Sequence, residues 1–135
     1  MTNKISTEAV TEAITRIVKE RGEDFVYQGT ADGNYAYTEA NGSPSCLVGC
    51  VLAEVAPEFL AEIHRAEYPD GTYRASSVFR LSSLERVLGL TEIPLEDEAI
   101  TALRVAQIQQ DEQAEWGYAL KKYGKVLDGT YLVYR

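Results

Sequence analysis

The stretch Gly42-Ser43-Pro44-Ser45-Cys46-Leu47-Val48-Gly49-Cys50-Val51-Leu52 restricts this chain more than any other. It reads as a turn that launches a helix. Ser43 is a candidate N-cap, and Pro44 suits the first helical position, where its missing N–H costs nothing. Cys46, Leu47, Cys50, Val51 and Val55 then form an apolar face, with the two cysteines four residues apart on it. Gly49 interrupts the helix. Such a glycine costs about 1 kcal/mol relative to alanine, so its use predicts close approach of another backbone.

The cysteines carry three readings. Their near-parallel Cβ vectors are poor geometry for a disulfide, which favours two reduced, buried packing residues. Metal binding would need His64, the single histidine, and reaches three ligands at most. Cys46 near a helix start could also be a nucleophile, because that position lowers a thiol pKa. Ser43 and Ser45 are helix caps or, in a sharper reading, part of an anion site built on backbone N–H groups.

Around this segment the chain alternates helical and strand-like patterns. Ser6 caps a first helix, Ile5 and Val10 have staple spacing, and Gly22 ends it. Phe25–Gln28 and Tyr35–Thr38 read as strands of a hairpin turned by Ala31-Asp32-Gly33-Asn34. Pro57 starts a further helical piece through Ile63, and Tyr68-Pro69-Asp70-Gly71 is a turn. A helix is expected from about Ser83 to Leu88. Pro94 opens a last, long helix to about Tyr123, and Thr130–Tyr134 is a closing strand. The expected fold is α+β: four or so helices packed on a small antiparallel β-sheet made near Phe25, Tyr35 and Tyr131, in one domain over residues 1–135.

Charge bears on partners. The chain carries −8 overall. Affinity for duplex nucleic acid comes mainly from neutralising phosphates, so no direct nucleic-acid contact is expected. Between Glu92 and Glu115, the acids Glu92, Glu96, Asp97, Glu98, Asp111, Glu112 and Glu115 stand against Arg104 alone; after it Lys121, Lys122, Lys125 and Arg135 stand against Asp128. This is either a solvated face with favourable helix-dipole placement or an acidic surface that docks on a basic protein. Trp116, beside Tyr118, is a core anchor or an exposed hot spot. No apolar run reaches the roughly 20 residues of a membrane span, and the first residues lack a signal-peptide pattern, so a cytoplasmic protein is expected.

No catalytic constellation stands out. His64 has no serine or cysteine at a recognisable spacing, and the acids after Pro94 are explained by the helix dipole. No glycine-rich phosphate loop is present. Neither a metal nor a cofactor is expected, and the chain is expected not to be an enzyme.

The tyrosine-containing hairpin, the Gly42–Leu52 segment and the later Ala106-x-x-Gln109-Gln110-Asp111-x-x-x-x-Trp116-Gly117-x-Ala119-Leu120 together resemble a group of small proteins carried by bacteriophages of actinobacteria. Cys50 departs from that pattern, where histidine is frequent, so a Cys-x-x-x-His ligand pair does not carry over. The resemblance implies a virus-encoded accessory protein acting inside a bacterial host cell, and no catalytic residues. The expectation is a protein that binds and modulates a host or competing-phage component through an acidic, aromatic surface. Its candidate residues are Ser43, Ser45, Cys46, Asp111, Glu112, Glu115, Trp116 and Tyr118. The alternatives are a small-ligand binder or sponge for a nucleotide signal, centred on Ser43 and Ser45, and a cysteine-dependent enzyme using Cys46. The oligomeric state is left open.

Overall fold

Ser6 begins the first helix as its composition suggests. Its hydroxyl accepts from the Ala9 N–H at 3.1 Å, and α1 runs Thr7–Arg21. Val10, Ala13, Ile14, Ile17 and Val18 are buried on one face. Gly22 closes the helix at φ 111°, its N–H on Val18 O at 2.8 Å. The computed structural model describes residues 4–73 and 92–130.

Two further helices follow, α2 (Leu47–Val55) and α3 (Pro57–Glu67). They are split by Ala56 alone, because a residue before proline is pushed out of the helical region. After residue 92 come α4 (Asp97–Asp111) and α5 (Trp116–Leu127), which pack on each other as a helical hairpin. Their cores meet those of α1 and α2 around Ile14, Leu47, Leu52, Leu103, Trp116 and Tyr123.

Two expectations are corrected here. The helix from Pro94 to about Tyr123 is two helices. Gln113 takes φ 72°, its N–H reaches Gln110 O at 3.0 Å, and the Ala114 N–H reaches Gln109 O at 3.0 Å. This is a Schellman stop made without glycine. The α+β fold is also overturned. The described residues form five helices and no sheet, with only isolated bridges at Ile5–Leu95 and Thr38–Pro44.

The reason lies in where the backbone groups of the expected hairpin go. Its turn closes, with the Thr30 N–H on Asn34 O at 2.7 Å. Beyond it the partners are elsewhere. Phe25 O accepts from the Trp116 N–H at 2.8 Å, at the start of α5. The Tyr37 and Thr38 N–H groups donate to the Glu67 carboxylate at 2.9 and 3.1 Å. Tyr37 O accepts from Ser45 N at 2.9 Å. Strand-forming side chains thus sit in an irregular strap, residues 35–46, satisfied by helix ends and a side chain. The expected helix near 83–88 and nearly all of the closing strand lie outside the described residues.

Candidate functional site

The strap crosses α2 at Gly49. A Cβ built there would stand 2.2 Å from Tyr37 O, so the close approach expected from the sequence is present. Helix α2 begins one turn's work later than Ser43 and Pro44 suggest: Cys46 is the N-cap, and Pro44 instead bridges to Thr38. Ser43 is exposed, its N–H and hydroxyl both on Asn41 Oδ1. Ser45 is buried, its hydroxyl donating to Glu39 Oε2 at 2.8 Å and bonded to the Tyr27 hydroxyl.

The first N–H groups of α2 are already engaged. Leu47 N donates to Gln110 Oε1 at 2.8 Å, and Gly49 N donates to Cys46 Sγ at 3.3 Å. The structure therefore separates Ser43 from Ser45 and directs these donors inward, which leaves the expected anion site without them. Both cysteines are free and buried. Burial pushes both thiols above their ordinary pKa, away from thiolate character, and the α2 terminus does not reverse this at Cys46.

His64 is turned to another task. Thr38 Oγ1 gives its proton to Glu67 Oε1 at 2.7 Å, so its oxygen accepts from His64 Nδ1 at 2.9 Å and assigns the Nδ1-protonated tautomer. Tyr68 stacks on the His64 ring and donates its hydroxyl to Thr38 O. Tyr73 donates to Tyr35 O at 2.9 Å, and burial pushes its hydroxyl up to about 12. Glu67 is 1% exposed, and burial raises its pKa against the three hydrogen bonds that favour the carboxylate. Sequence reasoning missed Glu67, Thr38, Tyr27 and Glu39. A signal for Glu67 existed: it continues the Leu60, Ile63 spacing of the buried face of α3, where an acid must have partners.

The acidic segment behaves differently. Trp116 takes the first of its two expected roles, a core anchor, and is fully buried; its ring meets Phe25 edge-on at 4.7 Å, and the Arg21 guanidinium covers both rings. Asp111 is half-buried and accepts from Gln110 Nε2 at 3.0 Å. Glu112 and Glu115 are exposed. Tyr118, 45% exposed, is the one large apolar side chain exposed among the described residues. Gly117 lets a second acidic segment in. Its N–H donates to Glu23 O at 2.8 Å, and an added Cβ would stand 2.8 Å from that oxygen. The backbone of exposed Glu23 is thereby held at the start of α5.

A groove of about 590 Å³ lies apart from these residues, with Ile5, Val55, Phe59 and Ile93 among its apolar lining and Glu58, Glu62, Glu92 and Lys4 among its charges. Lys4 is 3.0 Å from Glu92. Beside the strap, Tyr35, Tyr37, Glu67, Tyr73 and Gln107 line a space of about 10 Å³, at the lower limit for one water. Among the described residues no group of three or more His, Cys, Asp or Glu is placed to hold a metal, and no helix is long and apolar enough to cross a membrane. Comparison with protein-family models, curated proteins and solved structures returned no match.

Proposed function

We propose that this chain is an accessory protein of a bacteriophage infecting actinobacteria, acting in the cytoplasm of the host by binding a basic protein of the host or of a competing phage. The viral setting rests on the sequence resemblance alone. The contact reading is carried by one observation: exposed Tyr118 and Glu115 flank Gly117, whose N–H holds the backbone of exposed Glu23, from a segment distant in sequence, at the start of α5. An exposed aromatic beside acids offers contact area together with electrostatic steering. Trp116 acts from beneath, by fixing the Phe25 turn against α5.

The alternatives draw less support. A nucleotide is anionic, whereas the groove of about 590 Å³ carries three acids and a lysine already paired. Cys46 is buried with a raised pKa, and the histidine bonds Thr38 instead.

The partner is captured from a host lysate, identified by mass spectrometry, and its association rate is then measured against salt. Changing Glu23, Asp24, Glu112 and Glu115 to their amides is expected to slow association about tenfold at low salt. Asp111 is left alone because it holds Gln110, which caps α2. An unchanged rate at low salt would overturn the proposal.

A further inference from the structure

The outer loop of the strap holds the single Asn-Gly pair of the chain, Asn41-Gly42. Asparagine is a chemically labile residue, and this pairing favours one reaction. The glycine nitrogen loses its proton and attacks the asparagine side-chain carbon Cγ. A new C–N bond closes a succinimide ring, and the side-chain nitrogen leaves as ammonia. Water then opens the ring at either carbonyl, giving an aspartyl or an isoaspartyl linkage. Water enters and ammonia leaves, so neither a cofactor nor an oxidant takes part. Glycine is the favourable neighbour because it sets no Cβ beside the attacking nitrogen.

In the folded chain both reacting groups are held. The Gly42 N–H donates to Glu39 O at 2.9 Å, and the Glu39 N–H donates to Ser43 O at 2.8 Å. Asn41 Oδ1 accepts from the Ser43 N–H at 3.0 Å and from the Ser43 hydroxyl at 2.6 Å. The succinimide ring is planar, so Cγ must arrive where the Gly42 hydrogen points, and Glu39 O occupies that direction. The turn is anchored in its surroundings as well. The Glu39 carboxylate accepts from the Ala31 N–H at 3.1 Å and from the Ser45 hydroxyl at 2.8 Å. Gly42 has φ 91°, and the edge of the His64 ring lies 3.8 Å from where its Cβ would stand.

We propose that Asn41-Gly42 is a self-modification site that this turn keeps shut, and that modification there is a one-way latch on the strap. Reaction requires the Gly42–Glu39 bond to open. The succinimide then lacks the Gly42 N–H, the donor that closes the turn. The isoaspartyl product regains that N–H but routes the backbone through Cβ and Cγ, which adds a backbone atom between Glu39 and Ser43. It also leaves the α-carboxylate, on a shorter arm, in place of the side chain that Ser43 held. The two Glu39 backbone bonds no longer fit together, so the strap does not close again as before. Only the aspartyl product keeps the original backbone and can restore the turn. This chemistry needs no foreign partner, so it stands or falls apart from the binding reading.

Peptide mass mapping of the full chain, incubated at neutral pH either folded or in urea, tests it. Conversion of an amide to an acid is assigned to position 41 by mass; the Asp-Gly pairs at 32, 70 and 128 do not interfere, because their isomerisation leaves the mass unchanged. The folded chain is expected to convert at least about tenfold more slowly than the denatured one, since the reaction follows the open population. Ser43→Ala, at an exposed residue, removes one of the two bonds to Asn41 Oδ1. It should speed conversion of the folded chain about threefold and leave the rate in urea unchanged. The isoaspartyl form is then purified and identified with isoaspartyl methyltransferase. Its strap amides, residues 35–46, should exchange hydrogen faster than those of the parent and of Asn41→Asp, which adds the charge without the extra backbone atom. Equal conversion of the folded and denatured chains, a folded Ser43→Ala chain no faster than the parent, or an isoaspartyl strap as protected as that of Asn41→Asp would overturn the proposal.

Discussion

The strap over α2 and the outer edge of α5 are both rich in tyrosine and carboxylate, yet they use them in opposite ways. Around the strap, Glu67 accepts three hydrogen bonds out of water, and Tyr27, Tyr68 and Tyr73 each spend their hydroxyl on the protein. On α5, Glu112, Glu115 and Tyr118 face solvent. Composition is the same in kind; partnership differs. A buried polar group must be matched within the fold, so mutation there reads out as stability. An exposed one contributes little to folding and is left for contact.

The largest effect is expected beneath the strap, at Gly49→Ala in α2. The added methyl meets Tyr37 O, a backbone atom that cannot turn aside. Loss of about 3 kcal/mol is expected, measured by denaturant unfolding. Both cysteines are buried, so native-state labelling of the parent is expected to be slow, and displacing the strap should speed it. A Gly49→Ala chain of parental stability would show that the strap is not pinned to α2.

Glu67→Gln ranks next, at about 2 kcal/mol, because one amide nitrogen must then face donors that the carboxylate accepted. The pH dependence sharpens this. Burial raises the folded-state pKa above the ordinary 4.5, so the folded chain holds the proton more tightly than the unfolded one. The contribution of Glu67 to stability is complete below about 4.5, falls as pH rises through the folded-state value, and is level above it. Subtracting the Glu67→Gln stability curve from the parent's should isolate that fall. Parallel curves would mean that Glu67 titrates as it does in the unfolded chain.

How much of this was legible before the structure follows from where each residue's partner lies. Helix α1 was legible because Ser6, Val10 and Gly22 act within a turn of themselves, and Gly49 announced its neighbour by lacking a side chain. The α4–α5 break was not, because Gln113 adopts a positive φ that its residue type does not advertise, while the nearby Gly117 serves a different contact, with Glu23. The sheet was inferred from strand-forming residues at 25–38, whose backbone partners prove to be Glu67 and the start of α5, remote in sequence. Of the candidate surface, the charges of Glu112 and Glu115 and a core role for Trp116 were legible, but the arrival of Glu23 at the start of α5 was set by tertiary packing.

On α5 the expected signs reverse. Gly124→Ala should raise stability by about 1 kcal/mol, since among the described residues nothing stands within 4 Å of the added methyl and the helix gains a better former. Thermal unfolding measures the change, and a Gly124→Ala chain less stable than the parent would show that the glycine meets a neighbour.

The smallest stability effect belongs to the acidic end itself. Glu23, Asp24, Glu112 and Glu115 are exposed, and none of their side chains makes an ion pair among the described residues. Converting all four to amides should change unfolding free energy by less than about 0.5 kcal/mol in total, the range of a single substitution away from caps and cores. Part of even that is lost attraction to the α5 terminus, which salt screens. The contrast with Glu67→Gln then becomes a direct measure of partnership: one buried amide outweighs any single exposed one. A fourfold variant that unfolds as readily as Glu67→Gln would mean that these acids hold the Phe25 turn against α5, and the division between a structural interior and a contact surface would fail at this edge.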